Sequence, residues 1–308
     1  MKKICVIGSF NIDIITTTER LPKVGETVFS NTFDLFVGGG KGGNQAIALG
    51  KLGADVRMVG KLGDRFYGPG YLDVLKDNQV QCDTVEIEKD MFPGTAVVAV
   101  DKNGDNLLFV YSGANEKVDI SFIDRHWAAI AACDIFLFQL EIPLQTNLYA
   151  MKKLKELKKT IILDPAPATY YREEMLQYVD YVTPNETELE MLTGIALQHS
   201  EDFAVASQGL MEKGAKVVIA KAGKSGAYLC TPASFVHIEG YAVNAVDTTA
   251  AGDSFNAGFA YALAQGKNAI DSVRFANAVA AISTTAVGAQ NAMPALEQVD
   301  AFLSMQQS

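Results

Sequence analysis

The chain has 308 residues, 49% of them hydrophobic, which is ample for a large packed core and excludes a disordered protein. Its formal net charge of −10 offers no overall attraction to nucleic acid or to an anionic membrane, so an anionic ligand would have to be held by local groups. Cys5, Cys82, Cys133 and Cys230 are scattered without a CxxC or a histidine at ligand spacing, the pattern of reduced, mostly buried thiols rather than of a zinc site.

In chain order, the apolar run that opens the protein stops at Ser9 and reads as a first buried strand rather than a secretion signal. No apolar run approaches the ~20 residues of a spanning helix, so a cytoplasmic location is expected. The β-branched and aromatic stretches 12–18 and 27–36 form a predicted strand pair. A second pair, 95–101 and 106–111, flanks Lys102-Asn103-Gly104, whose Asn-Gly step signals a two-residue hairpin. With no long helices among them, these four strands predict a small antiparallel lid over about 12–38 and 94–112.

Elsewhere strands and helices alternate: 56–60 then 66–78, 135–139 then 144–157, 160–163, 181–183 then 186–193, and 216–220. Such alternation implies βαβ units around a mainly parallel sheet flanked by helices, an α/β fold. The last third reads as helices over 254–265, 268–287 and 296–305, and the absence of repeats or linkers predicts one domain over 1–308.

The polar residues collect where an open α/β sheet binds ligands, beyond the carboxyl ends of its strands. Asn11 and Asp13 follow the first strand with both side chains on one face, and Glu141 follows a buried apolar run. Taken singly, an Asx turn and a helix-start carboxylate explain them equally well. The run Asp247-Thr248-Thr249-Ala250-Ala251-Gly252-Asp253 places a carboxylate behind a small-residue turn that opens a helix, a place where backbone N–H groups can hold a phosphate while Asp253 accepts a proton. A capping Asp is the plainer alternative. Gly38 to Gly43 contains GxGxxG but follows the lid strands rather than the first strand of a βαβ unit, so it reads as a glycine loop rather than a dinucleotide site. Gly223-Lys224-Ser225 has Val218 where a Walker loop needs glycine.

Residues 247–256 resemble the C-terminal signature of the PfkB family of sugar and nucleoside kinases, and Gly39 to Gln45 its N-terminal signature. Pro184-Asn185-Glu186-Thr187-Glu188 adds a third motif, and 164–168 with Gly113-Ala114-Asn115 is similar to the family's ribokinase branch. The resemblance covers nearly the whole chain. It implies a ribokinase-like fold and an ATP-dependent kinase phosphorylating the primary 5-hydroxyl of a pentose, D-ribose foremost. A ketohexose, 2-deoxyribose or nucleoside substrate, or a non-catalytic sugar sensor, stays open.

The same resemblance implies sugar contacts from Asn11, Asp13, Gly40, Lys41, Asn44 and Glu141, with Asp253 as base and Ala250, Ala251 and Gly252 as an anion hole. It implies nucleotide contacts from Asn185, Lys221, Gly223, Ser225, Gly226, Gly252 and Asn277, and Mg²⁺ organised through water by Glu188. A K⁺ site is implied at Asp247, Thr249, Ser283, Ala286, Gly288 and Ala292, although the basic residue frequent near 285–287 in relatives is absent. Unpaired lid edges, finally, predict a homodimer formed through the lid.

Overall fold

The structure is a computed structural model and describes residues 1–306. In chain order it runs β1 (Ile4–Ile7), β2 (Asn11–Thr18), β3 (Ser30–Phe36), α1 (Lys41–Lys51), β4 (Val56–Gly63), α2 (Gly68–Asp77), β5 (Gln81–Glu88), β6 (Gly94–Asp101) and β7 (Asn106–Tyr111). It continues with α3 (Ile120–Arg125), α4 (Trp127–Ala131), β8 (Ile135–Phe138), α5 (Leu144–Glu156), β9 (Thr160–Leu163), β10 (Tyr181–Val182), α6 (Glu186–Thr193) and α7 (Ser200–Glu212). The last elements are β11 (Val217–Lys221), β12 (Gly226–Thr231), β13 (Ser234–Glu239), α8 (Ala251–Ala264), α9 (Ala269–Ser283) and α10 (Leu296–Gln306).

A nine-stranded sheet has the order β13-β12-β11-β10-β9-β8-β1-β4-β5. It is parallel from β5 to β11 and antiparallel at the β11-β12-β13 edge. The strand β1 lies in its middle and is wholly apolar because helices cover both faces. Ile4 and Val6 point into a core shared with α1, α2, α8, α9 and α10. Cys5 and Ile7 point into the other core, against α3 to α7. Among the described residues no helix is long and apolar enough to cross a membrane.

The second sheet has the order β3-β2-β6-β7. Its two outer pairs are antiparallel as expected, while the join between them, β2 to β6, is parallel, because both strands leave the main sheet in the same direction. The β6–β7 connection is a three-residue loop rather than a two-residue hairpin. Asp101 N–H donates to the Asp105 carbonyl at 2.9 Å, and only Gly104 takes a positive φ, 89°.

Several elements depart from the sequence reading. The expected glycine loop at 38–43 ends early, and α1 begins at Lys41. Three glycines weaken this helix, but Gly42 lies against the end of β1, where a Cβ would stand 2.5 Å from the Ser9 backbone nitrogen. Packing requires glycine there despite its poor helix propensity. The helix α2 starts at Gly68, not 66, since Phe66 and Tyr67 take left-handed φ values of 48° and 62°. The helix α8 begins at Ala251 rather than 254, and α9 stops at Ser283 rather than 287. Strands β5, β12 and β13 and helices α3, α4 and α7 have no counterpart in the sequence reading.

Candidate active site

The parallel strands deliver their polar residues to one end of the sheet. Asn11 and Asp13 open β2 just beyond β1, Gln139 and Glu141 follow β8, Asp164 follows β9, Asn185 follows β10, and Lys221 ends β11. The helices α1 and α8 bring Lys41, Asn44, Gln45 and Asp253 to the same end, their axes packed side by side against the sheet.

Asp253 is 5% exposed in the first turn of α8. One of its oxygens accepts from Asn44 Nδ2 at 2.9 Å and the other from Gln45 Nε2 at 3.1 Å. Each oxygen keeps capacity for a further proton donor. Burial pushes its carboxyl up to about 6, with Asp164 adding to the rise and Lys41, Asn44 and Gln45 opposing it. The turn that opens α8 differs in detail along the residues named for an anion hole. Ala250 is the left-handed residue before the helix, φ 57°, and the Ala251 N–H already donates to the Thr248 carbonyl at 3.2 Å. The N–H groups of Gly252 and Asp253 are the ones for which a helix start supplies no intrahelical acceptor.

The sugar-binding candidates do converge on this carboxylate. Glu141 Oε2 accepts from Ser9 Oγ at 2.5 Å and from the Lys41 backbone N–H at 3.0 Å, so its charge sits at the N-terminus of α1, where the dipole favours it. Asn11 Oδ1 accepts from Asn115 Nδ2 at 3.1 Å, and among the described residues the Asn11 amide donors have no hydrogen-bond partner. Gly40, φ 76°, lets the chain turn into α1, since a Cβ would stand 2.7 Å from the Asn11 nitrogen. Among the described residues, the Asp13 carboxylate and the Lys41 ammonium have no hydrogen-bond partner. Burial, with Glu141 and Asp253 nearby, pushes the Asp13 carboxyl up to about 7. Burial works against the Lys41 charge, but Asp253, Asp164, Glu141 and Glu188 outweigh it and raise its pKa.

A cleft of about 710 Å³ adjoins this cluster. Asn185, Lys221, Gly223, Gly226, Gly252 and Asn277 all line it. Ser225 does not. It stands in an exposed 3-10 turn with its carbonyl accepting from His237 Nε2 at 2.8 Å, and Lys224 takes its place on the wall. Asn277 spends its amide donors on the Ile238 and Glu239 carbonyls, both at 3.1 Å, which pins α9 to β13. Asn185 and Glu188 form a reciprocal capping box on α6. Burial raises the Glu188 pKa, while Lys221 opposes the rise.

The residues named for a monovalent cation are partly joined. Asp247 accepts from the Thr249 N–H at 2.9 Å, from Thr249 Oγ1 at 2.6 Å and from the Gly288 N–H at 2.9 Å. These bonds hold its pKa down against partial burial. Ser283 Oγ instead turns back onto the Ala280 carbonyl, and Ala292 closes a 3-10 turn on Ala289. Ala286 lies in the loop between them. Among the described residues no three His, Cys, Asp or Glu side chains form a metal-binding group.

Four further side chains at the site had no role in the sequence reading. Gln45 and Gln139 hydrogen-bond to each other at 2.7 Å beside Asp253. Gln290 Nε2 donates to Asn44 Oδ1 at 3.1 Å and to Tyr71 Oη at 2.8 Å, and Tyr71 in turn holds Gly39. Nothing local distinguishes these from surface amides or a core tyrosine, because their partners lie far away in sequence.

The model of the pfkB family carbohydrate kinases matches residues 1–296. A ribokinase of Bacillus subtilis is 40% identical over 304 residues, which cover 99% of this chain and 100% of that protein. A deoxyribokinase of Salmonella typhimurium is 35% identical over 98% of this chain and 99% of its own length. The solved structure of an Arabidopsis thaliana ribokinase complexed with ribose and ATP superposes with a TM-score of 0.90 at 33% identity, covering 98% of each chain. The chain therefore belongs to the pfkB family of carbohydrate kinases, and the α/β sheet with a small β lid is that of its ribokinases.

Proposed function

We propose that this protein transfers the γ-phosphate of ATP to the primary 5-hydroxyl of a pentose, D-ribose giving ribose 5-phosphate. One observation carries the reading. Consecutive residues face two spaces: Gly252 lines the cleft and Asp253 faces the polar cluster of Asn44, Lys41 and Asp13, so donor and acceptor meet at a single helix start. The Asp13 carboxylate and Lys41 ammonium, without protein partners among the described residues, suit the hydroxyls of a sugar.

With a pKa of about 6, Asp253 is ionised at neutral pH yet too weak a base to deprotonate an alcohol beforehand. Proton transfer therefore comes late, and a loose phosphoryl transition state tolerates that. Asn44 and Gln45 fix the carboxylate, Asn11, Asp13, Gly40, Lys41 and Glu141 orient the sugar, and the Gly252 and Asp253 N–H groups stabilise charge on the transferred group. Closure of the lid excludes water, which would otherwise accept the phosphoryl group.

The nucleotide lies in the cleft against Asn185, Lys221, Gly223, Gly226 and Asn277. Mg²⁺ fits beside Glu188, held mainly through water because no cluster of three ligating side chains is present among the described residues. When bound it supplies charge neutralisation on the phosphates. A K⁺ would bind between the loops that Asp247 ties together, mostly through backbone carbonyls, as the Asp247 carboxylate is already engaged. The location is the cytoplasm.

Release of ADP from Mg-ATP, measured with D-ribose, 2-deoxyribose, fructose and adenosine and with K⁺ or Na⁺ as sole monovalent cation, tests all of this. Preference for ribose with K⁺ is the expected result. Preference for 2-deoxyribose, the substrate in the name of a 35% identical relative, would keep the base and reassign the sugar contacts.

A homodimer through the lid belongs to the same proposal. The strand β7 exposes every residue, including Leu108, Phe109 and Tyr111, and β3 adds Phe33, 67% exposed. So much apolar surface on a sheet edge is a liability unless paired. Light scattering should give twice the 33.1 kDa of one chain, and Phe109→Glu should halve that mass. A monomeric wild type would end this part of the reading.

A further inference from the structure

Gln45 is fully buried and its orientation is set by its neighbours. Its Oε1 accepts from Gln139 Nε2 at 2.7 Å, so its Nε2 is left to face two carboxylates, Asp253 and Asp164, each at 3.1 Å. Carboxylates only accept, so an amide donor is the group that can stand between two of them without adding charge. Asp164, 3% exposed by its side chain, binds Lys221 Nζ at 3.0 Å with its other oxygen. Lys221 reaches the anion hole: a Cβ on Gly252 would stand 3.5 Å from that ammonium.

We propose that Gln45 and Asp164 are positioning residues which form a hydrogen-bonded bridge from Asp253 to the Lys221 ammonium, locking the base and the cation beside the anion hole to one scaffold. The bridge spans the boundary between the sugar cluster and the nucleotide cleft. It sets the two charges that must meet opposite ends of the phosphoryl transfer, one at the attacking hydroxyl and one at the phosphate, where small displacements cost rate steeply. A buried ion pair at this depth is costly to desolvate and could be replaced by apolar packing if stability were its purpose. Its place at the ends of β9 and β11, beside Gly252, accords with a role in the site.

The charged and titratable groups around Asp253 are Lys41 from α1, Asp164 and Lys221 from the strand ends, Asp13 from the lid and Tyr71 from α2. The bridge makes opposite demands on its two members. Removing the Asp164 charge should make Asp253 more acidic, because a neighbouring anion is lost. Removing the Gln45 donor should make it less acidic, because a hydrogen bond to the ionised form is lost.

The inference rests on the kinase reading for its role in the reaction, so the test has two arms. In the first, the Asp253 carboxyl carbon is followed by ¹³C NMR through a pH titration of the ligand-free full chain, its resonance identified by its loss in Asp253→Asn. Asp164→Asn should move the midpoint down, and Gln45→Met up, each by about one pH unit. If Gln45→Met does not fold, Lys221→Met tests the far end and should also move the midpoint up, since Asp164 then loses its counter-charge. Midpoints that stay put, or that move the same way in Asp164→Asn and Gln45→Met, overturn the bridge. In the second arm, the acid limb of kcat/KM should move with the NMR midpoint, and Gln45→Met should lower kcat about tenfold or more with little change in the KM for sugar. A drop in kcat with an unmoved limb would reduce Gln45 to a structural role. Absence of any sugar phosphorylation by the wild type would overturn the kinase reading and leave the NMR result to judge the bridge.

Discussion

Asp253→Asn is expected to lower turnover by ~10²-fold or more and, at the same time, to make the fold more resistant to urea at pH 8. The first effect follows from removing the base while an amide of the same shape keeps one of the two acceptor contacts, from Asn44 or from Gln45. The second follows from the raised pKa. Burial lifts the Asp253 carboxyl to about 6 from the usual 3.8, so between those values the native state binds more protons than the unfolded chain. Stability is unaffected by this group below pH ~3.8, falls as pH rises through the folded pKa, and is fully diminished above it. A gap of about two pH units at ~1.4 kcal/mol each puts the cost of the ionised, buried carboxylate on the order of 3 kcal/mol. The amide carries no such cost, though one of its hydrogen bonds must rearrange, so the net gain at pH 8 is about 1–3 kcal/mol. Urea unfolding of both proteins at pH 4 and pH 8 reads the difference. Stability curves that run parallel between the two pH values would show that Asp253 is not the strained group described here. Near-normal turnover would remove it as the base.

Gly42→Ala should be among the most damaging single-methyl additions in the chain. The added Cβ would stand 2.5 Å from the Ser9 nitrogen, 2.7 Å from the Gly8 carbonyl carbon and 2.8 Å from the Ser9 oxygen. All three are backbone atoms at the end of the central strand, with no flexible side chain to give way. In an open helix the same change would stabilise by up to ~1 kcal/mol. Here α1 must retreat from β1, and overpacking of this kind costs about 3 kcal/mol. Retreat of α1 also carries Lys41, Asn44 and Gln45 away from Asp253, so turnover should fall more than the loss of folded protein explains. Urea midpoints and activity per folded molecule separate the two effects. A variant as stable and active as the wild type would mean that α1 does not approach β1 this closely.

The parts of the site that could be read in advance are those whose meaning is local. Ala250 to Asp253 sit within one turn, so small residues followed by an acid at a helix start could be seen together, although a capping Asp was the plainer local reading and the family resemblance decided against it. The strand 160–163 and the helix 186–193 likewise match their expected bounds to the residue. The helix α1 was not legible as a helix, since its glycines argue against one until Ser9 and Gly8 are seen beside it. Ser225 was named through the family resemblance, whereas in the 3-10 turn it is Lys224 that lines the cleft.

From the sequence alone came the family, the kind of fold and the placing of an acid, Asp253, behind a small-residue turn at a helix start, because each depends on residue order over short spans. The tertiary structure decided which groups act on that acid. Gln45 meets Asp164 and Asp253 across 119 and 208 residues of chain, and Gln290 reaches Asn44 across 246. Hydrogen bonds and charges act through space and fall off within a few ångströms, so the raised pKa of Asp253, the close seat of α1 and the reach of Lys221 to Gly252 are properties of the packed strand ends rather than of any segment.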